Sequence, residues 1–305
     1  MTLTAFAPAH ITGFFAVRPD PDPVKAGSVG CGLCLETGVT ARVTIGTTGT
    51  TDTTDTTDIT GTLDTADITG SGALIRLNGE QIDLPTVEYV VESLLRAGHS
   101  RLIVDLTADV PLGYGFGVSG AAALATALAI NADQGQGLTM EQAAAVAHSA
   151  EVVNRTGMGD VAGQYTGGLV IRTAAGAPGV GAVKKVPVDA MEVSWVCLGE
   201  ISTSSVLDDE KTMESINILG QRALKALLKR PGLEYFISLS RDFAFDTGLV
   251  SSRAADAIEA VEAAGGLASM AMLGDTVFAL GDGSALMEFG QVGSSRIGTT
   301  GAHNL

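Results

Sequence analysis

The stretch Asp109-Val-Pro-Leu-Gly-Tyr-Gly-Phe-Gly-Val-Ser-Gly-Ala-Ala-Ala123 is where this 305-residue chain gathers glycines in a pattern that can do chemistry. Gly113, Gly115 and Gly117 alternate, which removes Cβ atoms where the backbone must turn tightly and lets neighbouring N–H groups converge. An apolar strand, Leu102 to Leu106, precedes the loop, and a helix of small residues from about Ser119 to Ile130 follows it. Amides gathered at a helix N-terminus favour an anion, and a phosphate is the natural guest.

Other readings of the loop compete with this one. A Walker-type loop ends in Gly-Lys-Ser/Thr, and no lysine occurs between Lys25 and Lys184. Gly115, Gly117 and Gly120 formally satisfy the dinucleotide pattern G-x-G-x-x-G, but Ala108 to Leu112, including Pro111, separates the strand from the turn. The acid expected about 20 residues on would be Asp133, in a polar turn. A tight turn that binds nothing is the plainest reading, and the chain entropy of so many glycines weighs against it.

Phosphoryl transfer needs a cradle, a divalent metal, and a group that orients or deprotonates the nucleophile. A hard cation wants oxygen ligands. Ser119 offers a hydroxyl at the helix start, and Glu151 offers a carboxylate on the helix that opens at Thr139; its bland reading is a solvated helix glutamate. Asp160 lies in Gly157-Met-Gly-Asp-Val-Ala-Gly163, where flanking glycines let a carboxylate approach a substrate; otherwise it caps a turn. Arg172, at the end of an apolar strand, offers a bidentate fork for a carboxylate, or else a surface ion pair. His148 precedes Glu151 by one helical turn, Ser28 sits among glycines, and His10 is a further candidate; the ordinary alternative for each histidine is a packed ring.

These groups must be held by recognisable elements. Pro85 opens a helix whose Val87, Val90, Val91, Leu94 and Leu95 share one face, with Gly98 as its C′ residue. Thr139 and Gln142 form a capping box for a helix to about Asn154. Phe6 to Phe15 reads as a short strand leading into a loop, and Gly27 to Val43 as a loop feeding a strand at Val39. Thr47 to Gly72 is low-complexity Thr, Asp and Gly, a solvated loop or extended hairpin without assigned chemistry. Gly157, Gly159 and Gly163 mark a flexible loop before a strand from Gly168 to Arg172. Beyond Lys185 come a strand at Val193 to Leu198, helices at Glu210 to Leu228, Leu233 to Phe243 and Ser252 to Ala264, and a hairpin from Ser269 to Leu280. That order predicts two α+β domains, 1–185 and 186–305.

Pro111 to Ala122 resembles the phosphate-binding motif of the GHMP kinases, with Phe116 in place of a leucine and Gly120 in place of the second serine. Ala7-Pro-Ala-His-Ile-Thr-Gly-Phe-Phe15 resembles the first motif of that superfamily, and Ala268 to Phe278 occupies the place of the third, with fewer glycines than usual. Within the superfamily, the opening motif, Gly27-Ser-Val-Gly-Cys-Gly32 and Met270-Ala-Met-Leu-Gly274 look most like the archaeal pantoate kinases. The resemblance implies an α+β two-domain fold: a ribosomal protein S5 domain 2-like N-terminal domain and a ferredoxin-like C-terminal domain. It implies ATP-dependent phosphorylation of pantoate to 4-phosphopantoate, early in archaeal coenzyme A synthesis, with Mg2+. By the same resemblance, Gly113, Gly115, Gly117, Val118, Ser119 and Gly120 take the ATP phosphates, Ser119 and Glu151 the metal, and Asp160 the catalytic role. Arg172, His148, Ser28 and His10 are the substrate-binding candidates. Another small-alcohol kinase of the homoserine or mevalonate type, or a non-catalytic ligand sensor on the same fold, remains open.

Composition sets the outer limits. With 46% hydrophobic residues the chain has ample material for a core, and no apolar run reaches the roughly 18 residues of a membrane span. Met1 to Phe15 lacks the basic-then-apolar pattern of a secretory signal, so a cytoplasmic protein is expected. Cys31, Cys34 and Cys197 make no disulfide scaffold, and Cys31-x-x-Cys34 lacks a second ligand pair, so these read as small apolar residues. Eighteen basic against 34 acidic residues leaves a net charge of −16, which argues against nucleic acid as a partner; a homodimer is one option for assembly. Such an acidic surface suits a salty solvent, where counterions screen self-repulsion. Thermal unfolding across a potassium chloride series is expected to shift upward towards molar salt; equal stability at low and molar salt would refute that reading.

Overall fold

A computed structural model of the chain describes residues 2–46, 73–95, 101–134, 137–200, 206 and 209–305. The Thr47 to Gly72 segment and Gly98 lie outside the described residues.

Two long strands carry the site. β1 (Thr2–Arg18) and β2 (Gly27–Gly46) run antiparallel and pair from end to end. On its other edge β2 is shared: Gly30 to Leu33 pair with β6 (Leu169–Ala174), and Val39 to Gly46 pair with β5 (Arg101–Ala108). β3 (Ala73–Leu77) runs parallel to β5 and pairs with β4 (Glu80–Gln81), while β7 (Ala182–Val186) borders β6. The chain end returns to this sheet as β12 (His303–Asn304), beside β1.

Two sequence expectations need correction here. Phe6 to Phe15 is no short strand giving way to a loop; it is the middle of a 17-residue strand. Register shifts at Pro8/His10 and Thr12/Phe14 absorb Pro8 and Gly13 as bulges without ending the pairing. β2 likewise begins at Gly27, ahead of the strand expected at Val39, because its glycines lie where neighbours crowd in; a Cβ on Gly32 would overlap the His10 ring.

Helices cover the sheet. α1 (Pro85–Leu94) buries Val87, Val90, Val91 and Leu94, the expected apolar face. α2 (Val118–Gln134) is buried all round from Ala121 to Ile130, which its small side chains permit at close range to β1, β2, α1 and α3. α3 (Met140–Asn154) starts on the Thr139–Gln142 capping box, with both reciprocal hydrogen bonds formed. The expected flexible loop at 157–163 is partly helix: Asp160 opens α4 (Asp160–Thr166). Gly163 is tolerated inside it because a Cβ there would run 2.5 Å from His10 ring atoms.

The second sheet holds β11 (Val292–Arg296), β8 (Glu192–Gly199), β10 (Asp275–Leu280) and β9 (Ala268–Ala271) in that order, all antiparallel. α5 (Glu210–Lys229), α6 (Leu233–Thr247) and α7 (Ser252–Ala263) complete this part, close to the ranges expected from sequence. The two parts meet tightly at β1. Gly220 of α5 lies against the Phe15 carbonyl with no room for a side chain, and the Met272 N–H donates to the Thr12 carbonyl at 2.9 Å. Among the described residues, no helix is long and apolar enough to cross a membrane.

Candidate active site

A cavity of about 350 Å³ opens between the glycine loop, the start of α4, the β1–β2–β6 floor and the β9–β10 turn. Gly113, Gly115 and Gly117 line it with φ of 90°, 84° and 62°, a region in which a side chain is strained. Their alternation in sequence is thus a run of left-handed turns. Gly115 is also crowded: its Cβ would sit 3.0 Å from the Ala271 Cβ, under the β9–β10 hairpin. Phe116, buried, anchors the loop by packing edge-on against Trp195 at 5.3 Å. Its carbonyl accepts from the His10 N–H at 2.9 Å. The first backbone bond of α2 runs from the Ala121 N–H to the Gly117 carbonyl, so the amides before it have no partner within the helix.

Two carboxylates stand close to this helix start. Glu151, 1% exposed, accepts at Oε1 from the Ser119 hydroxyl at 2.6 Å and the Thr156 hydroxyl at 2.7 Å. Its Oε2 is buried with no partner among the described residues. Burial and the negative charge of Asp160 push the Glu151 carboxyl from 4.5 up to about 7, against the pull of the two hydroxyls. Asp160 is held the other way. Burial would raise its carboxyl, but the His10 hydrogen bond, the positive charge of Arg172 and the Thr12 hydroxyl outweigh it and keep it below the ordinary carboxylate range. Asp160 Oδ1 accepts from His10 Nδ1 at 2.7 Å and from the Thr12 hydroxyl at 3.1 Å.

An ionised carboxylate only accepts, so Nδ1 carries the His10 proton. Burial lowers the His10 pKa, Asp160 only partly offsets this, and the ring is neutral, with Nε2 between Gly32 and Gly163 and no partner for it among the described residues. Arg172 lies across the floor, 2% exposed, with Nε and Nη1 lacking any partner among the described residues. A Cβ on Gly159 would sit 2.5 Å from Ser28 Oγ and 2.6 Å from Arg172 Nε, so that glycine lets both groups approach the loop.

Ser28, Gly113, Gly115, Gly117, Val118, Ser119, Asp160 and Arg172 therefore line one cavity. Gly120, Glu151, His10 and His148 stand behind its wall. His148 is buried and donates Nε2–H to the Ala26 carbonyl at 2.8 Å, which braces the segment leading to Ser28. His10 reaches Asp160 instead of the cavity. Sequence reasoning did not single out Thr12, Thr156 or Gln164. Thr12 had a signal, two residues beyond His10 and so on the same face of a strand; Thr156 had none. Cys31 and Cys34 are buried thiols, with Cys34 pushed up to about 12 by burial.

The model of the GHMP kinases N terminal domain matches residues 85–168, which span α1 to α4. Similarity extends along the chain: 36% identity to a pantoate kinase of Thermococcus kodakarensis over 92% of this chain and 88% of that one. A pantoate kinase of Methanocaldococcus jannaschii is 32% identical, over 90% of this chain and 91% of that one. The chain belongs to the GHMP kinases. A solved structure described as a phosphotransferase related to the CoA biosynthesis pathway superimposes on this GHMP kinase with a TM-score of 0.84 at 31% identity, over 100% of this chain and 99% of the other. The α+β fold expected from the motifs is thereby borne out over the full length.

In this GHMP kinase the raised Glu151 carboxyl carries a stability signature. A carboxyl moved from 4.5 unfolded to about 7 folded favours the fold fully below 4.5, and that contribution is lost as pH rises through 7. Glu151→Gln keeps an acceptor for both hydroxyls and cannot ionise. The variant is expected to gain on wild type in thermal unfolding between pH 5 and pH 8, by about 3 kcal/mol at the upper end. A constant difference across that range would place the Glu151 carboxyl at its ordinary value.

Proposed function

We infer that this chain transfers the γ-phosphoryl group of ATP to the 4-hydroxyl of pantoate, forming 4-phosphopantoate for archaeal coenzyme A synthesis. Nearly full-length similarity to two pantoate kinases supports the reaction. The geometric observation that carries the substrate is Arg172: a buried guanidinium with two nitrogens, Nε and Nη1, unpartnered among the described residues, in the same cavity as an ionised Asp160. A buried cation with open donors is matched by a carboxylate, and the carboxylate beside it by a hydroxyl, which together describe a hydroxy acid.

The Gly113–Gly120 amides and the start of α2 hold the ATP phosphates. Ser119 and Glu151 would hold Mg2+; the orphaned, buried Oε2 and the hydroxyl bonded to Oε1 are an oxygen pair suited to a hard cation that keeps waters and phosphate as its remaining ligands. When bound, the ion neutralises charge on the transferring phosphate. Arg172 and Ser28 fix the pantoate carboxylate end. Asp160 accepts or guides the hydroxyl proton at Oδ2, because Oδ1 is already engaged by His10 and Thr12. His148 acts indirectly, through the backbone before Ser28. A division near residue 185 fits this arrangement: the cradle, Glu151, Asp160 and Arg172 precede it, and Met272 and Leu273 reach the cavity from beyond it.

A coupled ADP assay with pantoate, mevalonate and homoserine separates the readings. Turnover is expected with pantoate; turnover of mevalonate or homoserine alone assigns a different small-alcohol kinase. Asp160→Asn is expected to lower kcat by roughly 10²–10⁴ while retaining ATP binding; a wild type that binds ligand but forms no ADP would instead be a sensor. His10 gives a finer test. His10→Asn places an N–H near the Nδ1 position and is expected to keep most of kcat, whereas His10→Ala loses roughly tenfold or more. Equal loss in the two variants would remove the orienting hydrogen bond from the mechanism.

A further inference from the structure

Resting on the kinase reading, a second residue of α4 bears on the phosphate cradle. Gln164 follows Asp160 by four residues, so the two share one face of the helix. Its side chain is fully buried and outside the cavity lining, yet Nε2 donates to the Gly117 carbonyl at 2.7 Å. Gly117 is wedged between the two: its Cβ would sit 3.0 Å from Gln164 Nε2 and 3.2 Å from Asp160 Cβ.

The consequence follows from peptide planarity. In a trans peptide the carbonyl of one residue and the N–H of the next point in opposite directions. Fixing the Gly117 carbonyl therefore fixes the Val118 N–H, which belongs to the helix start at the cavity. A loop with three left-handed glycines has little stiffness of its own. Two donors, the Ala121 N–H at 3.0 Å and Gln164 Nε2, hold this carbonyl away from where it would repel phosphate. Gln164 Oε1 lies 3.0 Å from a Cβ position on Gly120, as does Glu151 Oε2, so a side chain at the glycine that replaces the second serine of the motif would crowd both of these side-chain ends. The Gln164 backbone carbonyl accepts from the Ala302 N–H at 2.8 Å, which ties α4 to the chain end beside β12.

We propose that Gln164 is a positioning residue that locks the glycine loop to the helix of Asp160, so that the phosphate cradle and the proton acceptor are held as one unit. Gln164→Met conserves most of the volume and removes the donor; Gln164→Leu guards against a folding failure specific to the first variant. Calorimetric titration of each protein with magnesium and a non-hydrolysable ATP analogue reads the cradle directly. A roughly ten- to hundredfold loss of nucleotide affinity is expected in both variants. The KM for pantoate should stay within about twofold of wild type, and the unfolding transition should remain cooperative. Unchanged nucleotide affinity overturns the proposal, as does a parallel loss of nucleotide and pantoate affinity, which would mark a general packing defect. The titration needs no pantoate turnover. A wild type inactive on pantoate, with nucleotide affinity still lost in the variants, would sink the substrate reading and leave the role of Gln164 standing.

Discussion

Two acidic side chains stand close together beside the cavity, Glu151 buried and Asp160 partly exposed, and the site depends on their surroundings driving their protonation states apart. Glu151 has two hydroxyls on one oxygen and nothing on the other, and burial pushes it up to about 7. Asp160 has a neutral imidazole and a hydroxyl on one oxygen and a guanidinium nearby, and stays ionised. Each carboxylate raises the cost of charging the other, so identical environments would leave both half-protonated and neither useful. Separation of their states leaves an ionised carboxylate at Asp160, able to accept a proton, beside a Glu151 carboxyl that a nearby positive charge would ionise. A divalent cation is the natural source of that charge, because it would relieve the repulsion that raises Glu151.

The rest of the fold can be understood as what is needed to keep that pair fixed. His10 can reach Asp160 only because β1 bulges beside it and because Gly32 and Gly163 leave the ring its space. Those bulges survive because β2 pairs with β1 along its whole length and with β6 and β5 on the far edge. α5 presses on Phe15 through Gly220, and the β9–β10 turn is tied to Thr12, so Met272 and Leu273 of the second sheet's turn are held at the cavity wall. Rigid strands thus carry His10, Thr12, Ser28 and Arg172, while the glycine loop supplies only backbone, which suits a charged guest bound by amides.

Much of this was legible in the residues. The alternate glycines, the small-residue helix, the Thr139 capping box and the one-sided face of α1 each follow from local rules, and each appears as expected. Ser119, Glu151 and Asp160 were nameable from residue type, spacing and motif resemblance. What stayed hidden was non-local. Pro8 and Gly13 look like strand breakers until a 20-residue partner strand holds them in register. Gly157 to Gly163 looks like open loop until the His10 ring fills the space beside Gly163. His10 and His148 were placed at the substrate because chemistry-bearing residues invite that reading; both spend their N–H groups on the protein itself. Gln164 gave no signal, since its side chain donates to a carbonyl 47 positions away.

The chain's charge sharpens the electrostatic problem. ATP and a hydroxy acid are anions, and the molecule that would bind them carries a net charge of −16. Long-range attraction is therefore unavailable; the overall field opposes approach. What remains is short-ranged: oriented amides at the start of α2 and one buried guanidinium. These two kinds of force answer differently to salt. Surface repulsion fades as the Debye length shrinks from about 10 Å at 0.1 M to about 3 Å at 1 M, whereas a guanidinium buried beside its guest is screened little. Burying Arg172 with Nε and Nη1 unpartnered among the described residues is costly to the unliganded fold, and the charge of Asp160 offsets that cost only in part. The same burial shields its attraction for an anionic guest from dissolved salt, so the short-range contacts at this site depend less on ionic strength than the surface repulsion does.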